Sequence, residues 1–220
     1  MEEEENKPTS QEEKKGKLKT IELFAGTRSF SKVAKKLGHE TFTTDYMKVD
    51  GQDLIADVRD LTAKDFPYTP DILWASPPCE GFSVASIGRN WGGGAIPKSD
   101  SARRSIELAK EAIRMIKELK PVFWFIENPR GLLRKMDFMQ EFERFTITYC
   151  QYGDSRMKPT DIWTNATWWN PRPMCKNGDK CHISAPRGSK TGTQGIKGYK
   201  NRSRIPPQLF EEIFEQYYLI

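Results

Sequence analysis

The sequence predicts an α/β fold in which helices cover both faces of a mostly parallel β-sheet, and two observations lead to that prediction. Short apolar runs such as DILWA at 71–75 and VFWFI at 122–126 alternate with stretches of helical periodicity. Strands that are apolar at every position must be covered on both faces, which is typical of parallel sheets flanked by helices. With 220 residues, of which 37% are hydrophobic, the chain can bury one such core.

The chain begins with a segment that we expect to lie outside this core. Residues 1–17 are rich in Glu, Lys and Ser and almost free of apolar side chains, so they cannot repay the entropy of ordering. We predict a disordered tail there. The α/β domain is expected over 18–164, where TIELF predicts the first strand and SKVAKKLGHETFTTDY the first helix and second strand.

The longest helix is expected between the two fully apolar strands. In residues 103–119 apolar side chains recur at helical spacing with Lys, Arg and Glu between them, and Pro121 ends the segment. This pattern predicts a crossover helix. Periodicity is lost after Tyr149, so we predict a small loop-rich insert over 165–198 and a C-terminal helix within 199–220 that packs back on the domain.

Composition excludes several classes of protein. No apolar run approaches the roughly 18 residues that a membrane-spanning helix needs, and the charged first residues differ from a secretory signal. We therefore expect a cytoplasmic protein with no membrane partner. The cysteines at 79, 150, 175 and 181 are too few for a disulfide scaffold and are interpreted first as free thiols.

Positive charge is concentrated in the last third of the chain. Between residues 151 and 205 there are eleven Lys or Arg and three Asp, a local net charge of +8 against +5 for the whole chain. Such a cluster indicates contact with the phosphates of a nucleic acid, although a solvated basic surface would give the same pattern.

The residues that follow each strand are candidates for a site, because ligands bind beyond the carboxyl ends of strands in an open parallel sheet. After the first strand, FAGT at 24–27 would let a ligand approach the backbone where a helix begins, or form an ordinary loop. Asp45 follows about twenty residues later, where an acid binds ribose hydroxyls in nucleoside-binding sheets. Asp57 could accept from an adenine amino group, or be an exposed loop aspartate.

Two further strand ends carry groups suited to catalysis. Directly after DILWA, two prolines and a glycine hold Cys79 on a stiff turn, which favours a nucleophile over a buried structural cysteine. The next strand ends in Glu127, whose carboxyl would lie at the same edge of the sheet. A carboxyl there tends to have a raised pKa and can exchange a proton near neutrality, although a salt bridge is the alternative.

The order of these motifs resembles that of the DNA (cytosine-5)-methyltransferases. LFAG at 23–26 is similar to their cofactor turn, PPCEGFS at 77–83 to their nucleophile motif, and IENP at 126–129 to their Glu-Asn-Val motif. YGDSRMKP at 152–159 and RIPPQL at 204–209 are similar to their arginine-bearing strand and final motif.

The resemblance implies transfer of a methyl group from S-adenosylmethionine to C5 of cytosine in DNA. Cys79 would add to C6 of a base flipped out of the duplex, and Glu127 would hydrogen-bond N3. Lys158 or Arg156 would support that carboxylate or contact the flanking phosphate. RNA is an alternative substrate, since nothing in the sequence reads a 2′-hydroxyl, and a catalytically inactive nucleic-acid-binding homologue is another alternative.

The resemblance also implies a Rossmann-like, class I fold dependent on S-adenosylmethionine, with 18–164 as the catalytic domain and 165–198 as a target-recognition-like insert. The residues expected to bind the cofactor are Phe24, Ala25, Gly26, Thr27, Asp45, Tyr46, Asp57, Val58 and Pro77.

Nucleic-acid contact is expected from two other segments. The basic stretch would bind phosphates, and Trp163, Trp168 and Trp169, which are interleaved with it, would stack on bases. Residues 83–100, with three consecutive glycines, have the flexibility expected of a loop that closes over an extruded base.

The chain departs from the family pattern in two places that bear on activity. Glu80 stands where the family has Gln, and its charge is expected to raise the pKa of Cys79. Only residues 165–198 lie where relatives often carry a whole recognition domain, so we expect short or relaxed sequence specificity. This reduction would suit a phage-type member acting in a bacterial host.

Three residues of the insert could bind a metal ion. Cys175, Cys181 and His182 form a C-x5-C-H pattern, with Cys150 as a possible fourth zinc ligand. The spacing is not a standard one, so we expect reduced surface cysteines and no metal.

Overall fold

The computed structural model describes residues 16–184 and 198–220 and contains one seven-stranded sheet. The strands lie in the order β3-β2-β1-β4-β5-β7-β6. In chain order they are β1 (Lys19–Leu23), β2 (Glu40–Asp45), β3 (Leu54–Ile55), β4 (Ile72–Ala75), β5 (Phe123–Pro129), β6 (Arg144–Thr148) and β7 (Pro159–Thr164).

The sheet is mostly parallel, as predicted. All pairs from β3 to β5 are parallel, whereas β7 is antiparallel to both of its neighbours. The carboxyl ends of β1, β2, β4 and β5 therefore meet at one edge of the sheet. That edge holds every strand-end residue that the sequence singled out.

In the described residues, two long helices and three shorter ones surround the sheet. They are α1 (Ser29–Lys36), α2 (Ile87–Asn90), α3 (Asp100–Leu119), α4 (Tyr199–Ser203) and α5 (Pro207–Tyr217). The predicted crossover helix is α3, which begins three residues earlier than expected because the Ser99 hydroxyl accepts from the Ala102 amide at 3.1 Å.

Both faces of the central strands are buried, which explains why their sequences are apolar throughout. In β4, Leu73 packs in the core beneath α3, while Trp74 packs in a second core on the opposite face. Trp74 contacts the ring of Phe210 on α5 edge to face, with ring centroids 4.8 Å apart. The C-terminal helix α5 thus packs on the sheet.

The insert has no helix or strand in residues 165–184. Two of the three tryptophans predicted to stack on bases are buried, and one of them, Trp163, lies in β7. Trp163 and Trp169 are 2% and 1% exposed, and Trp169 packs edge to face on Phe125 with centroids 5.7 Å apart. Trp168 contacts Phe123 in the same way. Trp163 and Trp169 thus lie in the two cores on opposite faces of the sheet and are not available to nucleic-acid bases, so the stacking prediction is wrong for these two residues.

The predicted disordered tail and part of the predicted insert could not be compared with the structure. Residues 1–15 of the predicted tail and 185–197 of the insert lie outside the described residues. None of the helices in the described part is long and apolar enough to cross a membrane.

Candidate active site

The nucleophile candidate Cys79 lies on a turn just beyond the carboxyl end of β4. Its carbonyl accepts from the amides of Phe82 and Ser83 at 3.0 and 2.9 Å, which closes the turn. Gly81 packs directly on α3: a Cβ at this position would lie 2.6 Å from the Cβ of Ser105, whose hydroxyl accepts from the Gly81 amide at 3.1 Å. Only glycine fits here, so helix α3 fixes the height of Cys79 above the sheet.

The segment 83–99 is attached to this turn. Trp91 is buried, stacks on Phe82 with centroids 5.9 Å apart, and donates from Nε1 to the carbonyl of Gly81 at 2.5 Å. Asn90 donates to the carbonyl of Glu80 at 3.2 Å. The loop that the sequence predicted to be flexible is therefore held near its middle, because the ring of Trp91, which directly follows the short helix α2, is buried in the core.

Glu127 lies at the end of β5 and is 5% exposed. Its Oε1 accepts from the hydroxyl of Tyr149 at 2.8 Å. Burial raises the pKa of Glu127, and the charge of Lys158 and the hydrogen bond of Tyr149 oppose that rise. The carboxyl group is thus held in a setting that favours its protonated form, as the sequence predicted from its position.

Asn128, the next residue of β5, ties that strand to the nucleophile turn. Its Nδ2 donates to the carbonyl of Pro77 at 2.9 Å, and the side chain is 1% exposed. This bond fixes the spacing between Glu127 and Cys79, because Glu127 directly precedes Asn128 and Cys79 lies two residues after Pro77. It gives the Asn of the IENP motif a structural role that sequence reasoning did not assign.

The structure brings Lys158 to Cys79 and Glu127. Its ammonium group lies 4.6 Å from the centroid of the Tyr149 ring and donates to the carbonyl of Arg202 at 3.2 Å. Burial and the charge of Glu127 raise the pKa of Cys79, whereas the charge of Lys158 lowers it. Burial in turn lowers the pKa of Lys158. These mutual effects indicate that the three groups share one local environment.

Glu80, which stands where the family has Gln, affects the pKa of Cys79 in the expected direction. Its charge raises the pKa of Cys79, but less than burial or Glu127 does. The side chain is exposed, so water screens most of its field.

Arg156 is bonded to groups other than Glu127. Its guanidinium is 4% exposed and pairs with Asp154 at 2.8 and 2.5 Å. The remaining hydrogen bonds that the structure describes go to backbone carbonyls of Asn201, Arg202 and Arg204. Arg156 therefore joins the segment before β7 to α4, and of the two basic candidates it is Lys158 that lies beside the carboxyl group.

A cleft beside Cys79 is lined by five of the nine residues predicted to bind a cofactor. These five are Phe24, Asp45, Tyr46, Asp57 and Val58. Pro78 lines the cleft in place of the predicted Pro77, and Ala25, Gly26 and Thr27 lie in the adjoining turn. The cleft is completed by residues that no motif indicated, namely Thr44, Ala56, Arg104 and Leu108. Those on α3 could not be assigned from sequence, because only packing decides which helix side faces the cleft.

The two acids of this cleft differ in how much of their hydrogen-bonding capacity is used. Asp45 accepts from the amides of Gly26 and Met47 at 2.9 and 3.0 Å, so each oxygen keeps a lone pair for a ligand hydroxyl. Asp57 pairs with Arg59 through both oxygens, at 2.9 and 2.7 Å. Hydrogen bonds from Arg59 lower the pKa of Asp57 and occupy the carboxylate that was expected to meet an adenine.

The residues of the cleft suit a nucleoside-bearing cofactor. Phe24 adopts a left-handed backbone conformation with φ of 55°, a strained state that is typical of functional turns. The hydroxyl of Thr44 is buried and has no hydrogen-bond partner among the residues described. An unpaired hydroxyl, a partly satisfied carboxylate at Asp45 and the apolar rings of Phe24 and Tyr46 are groups that a ribose and a base would satisfy.

The architecture is similar to that of solved methyltransferase structures. The structure of the Entamoeba histolytica methyltransferase EhMeth matches 74% of this chain and 58% of that chain, with 13% identity and a TM-score of 0.52. A mutant of Spodoptera frugiperda DNMT2 matches 76% of this chain and 57% of that chain, with 16% identity and a TM-score of 0.48. The chain thus spans little more than half of either structure. The fold is the Rossmann-like methyltransferase fold that the sequence predicted.

Sequence comparisons then give the family. The model of the C-5 cytosine-specific DNA methylases matches residues 18–153. A Frog virus 3 (isolate Goorha) protein named "Probable DNA (cytosine-5)-methyltransferase" is 28% identical over 224 residues, covering 90% of this chain and 99% of its own length. The chain belongs to the C-5 cytosine-specific DNA methylase family, and the predicted family and enzyme class are confirmed.

Proposed function

We propose that this protein transfers a methyl group from S-adenosylmethionine to C5 of cytosine in DNA through a covalent bond between Cys79 and C6. The observation that carries the proposal is the meeting of Cys79, Glu127 and Lys158 at the carboxyl edge of the sheet, beside the Asp45 cleft. A thiol, a carboxyl prone to hold its proton and a cation are the groups that this reaction requires.

Cys79 would act as the nucleophile. Its thiolate adds to C6 of the cytosine ring, which moves electrons toward N3 and makes C5 reactive. The charge of Lys158 opposes the rise that burial causes in the pKa of Cys79, so it increases the fraction of thiolate. The base must leave the duplex for this step, because the thiolate approaches C6 from above the ring plane.

Glu127 would hold a proton at N3. Its raised pKa keeps the carboxyl protonated more often than a solvated glutamate, so it can donate a hydrogen bond or a proton as charge develops at N3. Tyr149 orients that carboxyl by donating to Oε1. After methylation, loss of the C5 proton to solvent expels the Cys79 thiolate and returns the proton from N3 to Glu127.

Asp45, Phe24, Tyr46 and Thr44 would bind the cofactor. When bound, S-adenosylmethionine supplies the electrophilic methyl group. Asp45 would accept from the ribose hydroxyls with its remaining lone pairs, and the two rings would pack on the apolar parts of the molecule. Asp57 could contact the adenine only through the oxygen lone pairs that Arg59 leaves unused.

Covalent trapping tests the proposal. Duplex DNA containing 5-fluorocytosine should form a denaturation-resistant adduct with the purified protein in the presence of S-adenosylmethionine, because fluorine at C5 blocks the final elimination. Cys79→Ser should form no adduct, while Lys32→Met, which changes an exposed side chain on α1, should still react. An unchanged adduct with Cys79→Ser would overturn the assignment of the nucleophile.

A parallel assay with labelled methyl groups separates the possible substrates. Transfer to duplex DNA and not to RNA is expected. Transfer to RNA alone would replace the proposed substrate, and the absence of both transfer and adduct would indicate a nucleic-acid-binding protein without catalysis.

A further inference from the structure

Three side chains of the insert that could bind a metal ion lie close to a fourth that comes from an earlier part of the chain. Cys150 lies in the turn after β6, and Cys175, Cys181 and His182 come from the described part of the insert. One ligand atom from each of the four lies within 4.8 Å of every other. Cys150 and Cys175 are buried, whereas the sequence led us to expect reduced cysteines at the surface.

The spacing of these atoms is close to that of a tetrahedral site. Zinc bonds of about 2.3 Å to sulfur and about 2.0 Å to nitrogen imply S···S separations of roughly 3.8 Å and S···N separations of roughly 3.6 Å. The Sγ atoms of Cys181 and Cys150 are 3.6 Å apart. His182 Nδ1 lies 3.7 Å from the Sγ of Cys175 and 3.5 Å from that of Cys181. Among these four separations, that of the Cys150 and Cys175 sulfurs, at 3.0 Å, is shorter than zinc requires and must widen.

We propose that Cys150, Cys175, Cys181 and His182 bind one zinc ion as a structural site. Three thiolates and one imidazole complete a tetrahedral shell and leave no position for water or substrate, which is typical of structural and not of catalytic zinc. Nδ1 of His182 is the nitrogen that faces the sulfurs. Binding displaces the protons of the three thiols, so zinc uptake weakens as pH falls.

The ion would fasten the insert to the strand that leads into the active site. Cys150 directly follows Tyr149, which donates to Glu127, and the amide of Cys175 donates to the hydroxyl of Thr148 at 3.1 Å. Further along, the amide of Ile183 donates to the carbonyl of Ser155 at 2.8 Å. Zinc would therefore join residues 148–155 to the insert more firmly than the hydrogen bonds of Cys175 and Ile183 do alone.

Metal analysis of the full chain tests the site. Protein purified under reducing conditions without chelators should contain about one zinc ion per chain by mass spectrometry of the metal. Cys181→Ser and His182→Ala should each weaken zinc binding by more than roughly 100-fold, since changes outside the ligand shell alone cost 10–100-fold. Cys79→Ser is the matched control, because it removes a thiol outside the cluster and should keep the zinc.

Replacement of zinc by Co²⁺ gives a second measurement that does not depend on activity. The wild type should show the visible absorption and thiolate charge-transfer bands of a tetrahedral cobalt site, and Cys181→Ser should show them weakened and shifted. Because the side chain of Cys181 is exposed, this variant is expected to fold. A chelator should lower the Tm of the wild type and leave that of Cys181→Ser unchanged.

Two results would overturn the proposal. One is reduced, folded protein that holds no zinc and shows no cobalt bands while the three thiols of the cluster react with a thiol reagent. The other is a disulfide between Cys150 and Cys175 under the same reducing conditions, detected by mass spectrometry of non-reduced peptides. Neither result would bear on methyl transfer, which is tested separately through Cys79.

Discussion

At the scale of single residues, the reactivity of Cys79 is set by competing influences. Burial and Glu127 raise its pKa, and Lys158 lowers it. Lys158 itself adopts φ of 30°, a left-handed conformation that side chains other than glycine rarely take. Such strain, at a residue whose charge acts on both Cys79 and Glu127, is typical of functional sites.

Replacing Lys158 by Met should shift the pH dependence of the reaction. Without the ammonium group the pKa of Cys79 rises further, so less thiolate is present near neutral pH and adduct formation slows by about 10–100-fold. The rate should partly recover at higher pH. Single-turnover rates measured across the neutral and alkaline range would show the shift.

Lys32→Met makes the same charge change on the exposed surface of α1 and should keep the wild-type profile. A Lys158→Met profile that coincides with the wild type would contradict a role for Lys158 in stabilising the thiolate.

Glu22 is a second buried carboxyl, unrelated to the proposed reaction. It lies 3% exposed on β1 and accepts from the amides of Phe30 and Ser31 at 3.3 and 2.9 Å, which satisfies the start of α1. Burial raises the pKa of Glu22 from 4.5 to about 7 despite these bonds. The folded state therefore binds this proton more tightly than the unfolded state does.

The stabilising effect of that proton is full below pH 4.5 and is lost as pH rises to about 7. The free energy of unfolding should fall by about 3 kcal/mol from this group over that window. Glu22→Gln cannot titrate, so urea unfolding at several pH values should show this component missing. The exposed Glu141→Gln is the control, and an unchanged pH dependence in Glu22→Gln would contradict the assignment.

At the scale of elements, helix α3 positions the active-site turn. Its residue Ser105 contacts Gly81, and its N-cap Ser99 also donates to the amide oxygen of Asn90 at 2.9 Å. Asn90 in turn holds the carbonyl of Glu80. A chain of short polar contacts therefore connects the start of the crossover helix to the turn that carries Cys79.

Removing the Ser99 hydroxyl should destabilise this element. Ser99→Ala leaves the Ala102 amide without its cap and is expected to lower the free energy of unfolding by about 1 kcal/mol. Ser101→Ala, in the first turn of the same helix, should change it little. Chemical unfolding of both variants measures the difference, and equal stabilities would rule out the cap.

At the scale of the whole molecule, one of the three groups of the candidate active site lies in the most basic part of the chain. Lys158 lies within the basic stretch 151–205, and α4 follows on from it through the bonds of Arg156. Since the buried tryptophans cannot stack on bases, binding to DNA would depend mainly on phosphate contacts.

Affinity for DNA should therefore depend steeply on salt. If about four phosphates are neutralised, raising the salt concentration from about 50 to about 200 mM should weaken binding to duplex DNA by about 100-fold. Fluorescence anisotropy with one duplex at several salt concentrations would measure the slope. Lys176→Gln with Lys180→Gln should reduce that slope, whereas Lys32→Gln with Lys35→Gln should not. A slope near zero would argue against a phosphate-dominated surface.

Much of the fold could be predicted from the sequence because its signals are local. The apolar runs predicted β4 and β5, and the spacing of apolar residues predicted α3 to within three residues. Cys79, Glu127 and Asp45 could be picked out as candidates because each lies near the carboxyl end of a strand, and the topology of a parallel sheet brings such ends together. The antiparallel placement of β7 between β5 and β6 had no local signal.

What the sequence determined by itself was thus the order of strands and helices, the family and the strand-end residues, since these depend on neighbours along the chain. Three features could be known only from the tertiary structure. They are the position of Lys158, and not Arg156, beside Glu127, the burial of Trp163 and Trp169, and the proximity of Cys150 to Cys175, Cys181 and His182. Each of these depends on contacts between distant segments, and a side chain's partner across such a distance is set by packing and charge in three dimensions.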